Sequence, residues 1–87
     1  MNGIQLKYRG PLAALTGTKE ETLDRQDMRN IQDLLKSLGE KYGPETEKIA
    51  RVMLIALNGE SIHLLKQFKT AIKDGDTVSF FPLCAGG

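Results

Sequence analysis

Asp74-Gly75-Asp76-Thr77-Val78-Ser79-Phe80-Phe81-Pro82-Leu83-Cys84-Ala85-Gly86-Gly87 is the stretch from which the rest of the chain can be read. Asp-Gly-Asp is a tight-turn signal. Thr77 to Phe81 is β-branched and aromatic, as a strand requires, with Val78 and Phe80 on one face. Pro82 has no N–H to give to a ladder, so the strand ends there. Beyond Leu83 the side chains become small, and two glycines close a thin, flexible tail. Phe80 and Phe81 point to opposite faces if the strand is regular. In that case one enters the core and the other is an apolar anchor facing outward; the alternative is that both pack internally.

Working back, Val52 to Leu57 is a continuous apolar run, which predicts a strand buried on both faces. Asn58-Gly59 comes next and is the strongest short hairpin signal, because both residues tolerate positive φ. Glu60 to Ile62 is then a short return strand. His63 to Lys73 reads as a loop with one helical turn. Ile31, Leu34, Leu35, Leu38 and Tyr42 recur at helical spacing and make one apolar face. Asn30 is the N-cap and Asp33 lies in the first turn, where a carboxylate meets the positive helix end; Asp27 is an alternative cap one turn earlier. Gly43-Pro44 is a stop signal, and Glu45 to Arg51 reads as a loop or a single turn. Gly39 lies off the apolar stripe and has no evident reason in the sequence. At the N-terminus, Ile4, Leu6 and Tyr8 alternate with polar residues, the period of a half-buried strand. Gly10-Pro11 ends it. Leu12 to Leu15 is a short apolar patch, a loop folded on the core or one helical turn, and a candidate contact surface. Lys19 to Arg25 is a polar edge strand paired to the first by a reversal near Thr16-Gly17.

The order β, β, α, β, β, β, with first and last strands as parallel central neighbours, is α+β and that of a ubiquitin-like β-grasp fold. It implies a mixed sheet of four to five strands packed on one main helix. The domain is expected over residues 1–82, with residues 83–87 as a flexible C-terminal tail.

The chain has 87 residues, enough for one domain, and its 12 basic and 11 acidic residues leave a net charge of +1. No basic stripe for nucleic acid and no polybasic membrane anchor is present, no run spans a bilayer, and a cytoplasmic location is expected. Cys84 is the single cysteine and His63 the single histidine, which excludes an internal disulfide and falls short of a zinc set. No nucleophile elbow or phosphate loop occurs. The chain shows no catalytic side-chain set of its own, no metal site and no bound cofactor. His63 is most simply a polar residue after a short strand. Lys7, Arg9, Lys66, Lys69 and Lys73 read as a solvated set, of which some could steer an acidic partner.

The strand ending in Asn58-Gly59, the turn Asp74-Gly75-Asp76, the run Val78-Ser79-Phe80-Phe81-Pro82 and the terminal Gly86-Gly87 together resemble the bacterial and archaeal ubiquitin-like sulfur carriers. That family includes the small subunit of molybdopterin synthase and the thiamine-biosynthesis sulfur carrier, and Phe-Phe-Pro ahead of Gly-Gly looks most like the former. Leu83 stands where that subunit often has a second proline. The resemblance implies that the carboxylate of Gly87 is the reacting group: an ATP-using, ubiquitin-activating-like adenylyltransferase joins it to AMP, and a sulfur donor converts it to a thiocarboxylate. Gly86 and Ala85 would thread the tail into the enzyme's channel. Phe80, Phe81, Pro82 and Leu83 would bind the partner, which for molybdopterin synthase is a larger subunit holding the pterin substrate. The resemblance leaves open a sulfur carrier for thiamine, cysteine or tRNA thiolation, and a modifier conjugated to lysines. Cys84 is either a small residue packed in the partner's channel, the simpler reading, or a sulfur relay.

Overall fold

The computed structural model describes residues 3–83. Its elements are β1 (Ile4–Lys7), α1 (Pro11–Thr16), β2 (Glu20–Leu23), α2 (Ile31–Tyr42), α3 (Pro44–Arg51), β3 (Leu54–Leu57), β4 (Glu60–Ser61), two single 3-10 turns (Ile62–Leu64 and Gln67–Lys69) and β5 (Thr77–Phe81). Among the described residues the strands form one five-stranded sheet in the order β2-β1-β5-β3-β4. β1 and β5 are parallel and central, with Leu6 beside Val78, and all other pairings are antiparallel. This is the ubiquitin-like β-grasp arrangement expected from the element order.

One face of the sheet presents Ile4, Leu6, Ile55, Val78 and Phe80 to α2, whose Ile31, Leu34, Leu35 and Leu38 are fully buried against them. α2 begins as its sequence dictates. Asn30 Oδ1 accepts from the Asp33 N–H at 2.9 Å, and Asp33 Oδ2 accepts in return from the Arg29 N–H at 2.9 Å. Two otherwise orphaned donors are thereby satisfied.

Three expectations need correction. Residues Pro44–Arg51 are a helix, not a loop: Gly43, at φ 110°, breaks the chain direction, and Pro44 starts a new helix instead of merely ending the old one. Its buried face is Thr46 and Ala50, residues too small to register as an apolar stripe. β3 is not buried on both faces. Ile55 is 2% exposed, but Leu54 is 41% and Val52 64% exposed, so the continuous apolar run marks an inner face plus an uncovered outer one. The segment after β4 makes two 3-10 turns, not one helical turn. The patch at Leu12 to Leu15 resolves as α1, with Pro11 in its first turn and Leu12 buried.

The packing of α3 also explains Gly39. A Cβ there would lie 3.1 Å from the Glu47 Cβ and 2.5 Å from its Oε1, so only glycine lets the two helices approach this closely.

The two turn motifs, 16 residues apart, are locked to each other. Asn58 and Gly59 both have positive φ, 52° and 86°, as a type I′ hairpin turn demands. Asn58 Nδ2 donates to Asp76 Oδ1 at 3.0 Å, Asn58 Oδ1 accepts from the Thr77 N–H at 2.9 Å, and Asp76 Oδ2 accepts from the Lys73 N–H at 2.9 Å. Asp76 is 6% exposed, so removing its carboxylate strands donors away from water. Asp76→Ala is expected to lower the unfolding free energy by about 2 kcal/mol, read from urea denaturation; a loss under ~0.5 kcal/mol would show that the lock is dispensable.

Candidate functional site

Three strand ends meet where the chain leaves the sheet. β1 and β5 run in parallel, so their C-terminal ends lie together, and β3 runs against β5, so its first residue, Leu54, is paired with Phe81. Alternation then sorts the two aromatics. Phe80 is fully buried, its ring centroid 5.9 Å from that of Tyr8. Phe81 faces outward, 37% exposed, with the Arg9 guanidinium 5.7 Å from its ring centroid. Pro82 lies against Gly10. A Cβ on Gly10 would come within 3.2 Å of the Pro82 Cγ, and Gly10 has φ 60°, so glycine is required for both space and conformation. That contact fixes the course of the chain as it leaves β5.

The outer face around this exit is apolar. Leu54, Phe81 and Leu83 are exposed, as is Val52 just before β3. On the same side of the sheet Thr77 and Ser79 alternate with the buried Val78 and Phe80, Lys7 lies between Ser79 and Glu20, and Gln5 donates to Glu20 at 3.2 Å. A surface that combines aliphatic and aromatic side chains with a polar rim is suited to protein contact.

Little on the described surface suggests chemistry. Among the described residues no group of three His, Cys, Asp or Glu side chains could hold a metal ion. The groove between the β2–α2 connection and α2 is lined by Leu23, Arg25, Asp27, Lys36 and Glu40, among others, none of them at the β5 exit.

The most heavily bonded titratable cluster is structural. Glu21, on the inner side of β2, accepts from Tyr8 Oη at 2.5 Å, Tyr42 Oη at 2.6 Å and Lys41 Nζ at 2.8 Å. It thereby ties the edge strand to β1 and to the end of α2. Burial works against its charge, but the hydrogen bonds from Lys41, Tyr42 and Tyr8 outweigh it and hold the carboxyl below the usual range. Both tyrosines are pushed up, first by burial and then by the neighbouring carboxylate. A depressed carboxyl stabilises the fold above its unfolded pKa, and that contribution is lost as pH falls through the folded value. Glu21→Gln is therefore expected to be less stable than wild type at neutral pH, with the gap closing below about pH 4, in thermal melts across pH. A gap that stayed constant with pH would contradict a charged role for Glu21.

The expected site residues fall into three groups. Phe81, Pro82 and Leu83 are at the surface beside the exit. Phe80 is core, so any part it has in partner binding is indirect. Cys84, Ala85, Gly86 and Gly87 lie outside the described residues. The structure adds Gly10, Val52 and Leu54 to the site and moves Arg9 from a general solvated set to a defined place over Phe81. Val52 and Leu54 were concealed within a run that looks like core. Only the Gly10-Pro11 break hinted at a special conformation near residue 10.

Comparison with known proteins agrees with the fold. The ThiS family matches residues 6–87. The molybdopterin synthase sulfur carrier subunit of Chlamydomonas reinhardtii is 30% identical over 84 residues, covering 97% of this chain and 98% of that one. The small archaeal modifier protein 1 of Methanosarcina acetivorans superposes with a TM-score of 0.81 at 26% identity, over 100% of this chain and 98% of that one. A chain from the complex of subunits 1 and 2 of the molybdopterin-converting factor of Helicobacter pylori superposes with a TM-score of 0.64 at 25% identity, over 97% of both chains. The chain belongs to the ThiS family, within the ubiquitin-like β-grasp sulfur-carrier superfamily.

Proposed function

We propose that this protein carries sulfur as a thiocarboxylate on Gly87 and serves as the sulfur-donating small subunit of a molybdopterin synthase, in the cytoplasm. A carboxylate is a poor acyl donor. Attack of the Gly87 carboxylate on the α-phosphorus of ATP, in a ubiquitin-activating-like adenylyltransferase, releases pyrophosphate and makes an acyl adenylate. Sulfide-level sulfur from a donor then attacks the acyl carbon, AMP leaves, and the thiocarboxylate remains. A larger synthase subunit holds the pterin that receives the sulfur. The carrier contributes no catalytic side chain. Its part is to dock and to deliver one atom to a fixed point.

The observation that carries this reading is the end-to-end similarity to a molybdopterin synthase sulfur carrier subunit, together with the apolar face at the root of the Gly-Gly tail. Five residues, Leu83 to Gly87, follow Pro82, a reach of at most about 17 Å, so a partner that handles Gly87 works close to that face.

The test is to incubate the protein with ATP, the adenylyltransferase and a sulfur source, weigh it intact, and then mix it with the larger subunit. The expected result is the mass gain of one sulfur replacing one oxygen, followed by a stable complex. No mass gain overturns the carrier role; mass gain without a complex moves the protein to another thiolation pathway. The likeness to an archaeal modifier favours one second reading, conjugation to lysines. It requires isopeptide-linked Gly-Gly remnants on target lysines.

A further inference from the structure

The apolar face also carries a cation, Arg9, beside Phe81. Arg9 follows β1 in the same outward phase as Lys7, and its guanidinium lies over the Phe81 ring, next to the point where the tail leaves. Among the described residues the ion pairs are Arg25–Asp74, Lys41–Glu21 and Arg51–Glu47; none involves Arg9. Stacking uses one face of the guanidinium and leaves its edge N–H groups for an acceptor. A partner that covered Phe81 and Leu54 with purely apolar surface would bury that charge unpaired, which is costly. The charge therefore states what the partner must bring.

We infer that Arg9 is the specificity-determining contact of the docking face: it takes a carboxylate that projects from an otherwise apolar surface of the adenylyltransferase. The inference rests on the sulfur-carrier reading above. A carboxylate matches the planar fork of donors in a two-point hydrogen-bonded pair. The phosphates of the nucleotide are the other acidic group at hand, but they react at Gly87. They act at the end of the tail, five residues past Pro82, whereas Arg9 stands at its root over Phe81. The acceptor is thus on the enzyme surface and not on ATP. Because the contact is made before chemistry, it acts on encounter and binding and leaves the chemical step alone.

The test is ATP–pyrophosphate exchange with the adenylyltransferase from the same organism, comparing wild type with Arg9→Glu, Arg9→Gln and Arg9→Lys. Arg9→Glu is expected to raise the KM for the carrier at least about tenfold, with kcat unchanged, because it sets like charges together. Wild-type KM should rise with ionic strength, Arg9→Lys should keep that salt dependence, Arg9→Gln should lose it, and Arg9→Glu should reverse it as salt screens the repulsion. A purely structural role for Arg9 would not produce this salt pattern. Thermal melts and amide NMR spectra check that the variants keep the fold. A KM for Arg9→Glu within about twofold of wild type overturns the inference. So does a wild-type dimer in sedimentation that Arg9→Glu disperses without change in KM, since the face would then serve a second copy of this chain. If wild type supports no exchange, the sulfur-carrier reading falls and takes this inference with it; a defect confined to the variants separates the two.

Discussion

A chain carrying one alanine after Gly87 is expected to fold and melt as wild type does and to gain no sulfur. On the proposed chemistry the reacting atom is the α-carboxylate of Gly87. An added residue converts that carboxylate into an amide and moves the new terminus outward by about 3.5 Å, with a Cβ the glycine lacked. Misplacing a reacting group by even 1 Å costs on the order of a hundredfold, so sulfur loading should fall by at least that factor. The change lies outside the folded domain: the sheet register ends at Phe81, and among the described residues the contact that steers the chain out of the sheet is Pro82 on Gly10. Intact mass after incubation with ATP, adenylyltransferase and sulfur source gives the answer, with a thermal melt as control. An extended chain that loads sulfur at the wild-type rate would end the terminal-carboxylate reading.

The second large effect separates two neighbouring phenylalanines. Phe80→Ala is expected to cost about 3–5 kcal/mol of stability, because it empties a fully buried site beside Tyr8 in a small core. At roughly 4–8 °C per kcal/mol for a domain of this size, the melting temperature should fall by more than about 12 °C. Phe81→Ala removes a partly exposed ring and one stacked guanidinium, and should cost no more than about 1 kcal/mol. Its loss should appear instead in partner affinity, weakened by about tenfold or more if Phe81 anchors the interface. Calorimetric melts and titration with the larger subunit read both effects. Equal stability losses for the two variants would mean that the sorting of inner and outer faces is wrong.

Much of this architecture is legible in local pattern. The apolar stripe and the Asn30 cap define α2, positive-φ residues define the β3–β4 turn, and alternation defines β1 and β5. α3 escaped detection because its buried positions are Thr46 and Ala50, too small to register as an apolar stripe, while its Glu47 packs directly against Gly39. The same contact makes Gly39 intelligible, and no local pattern could have supplied it.

The docking face shows the boundary most clearly. Residues near in sequence determine periodicity, so most of the elements, the alternation of Phe80 with Phe81 and the tail with its two glycines can be read from the chain alone, whereas that Phe81 stays outside and Phe80 alone enters the core is decided by the packing. Whether an apolar side chain is covered depends on which distant segment packs over it. Val52 and Leu54 look like core, yet nothing among the described residues closes over them. Arg9 looks like one more solvated cation until the parallel pairing of β1 with β5 sets it on Phe81, 72 positions away. Chain order specifies the tail; only the meeting of three strand ends makes the surface from which that tail is presented, because such a surface exists only once residues far apart in sequence are brought together.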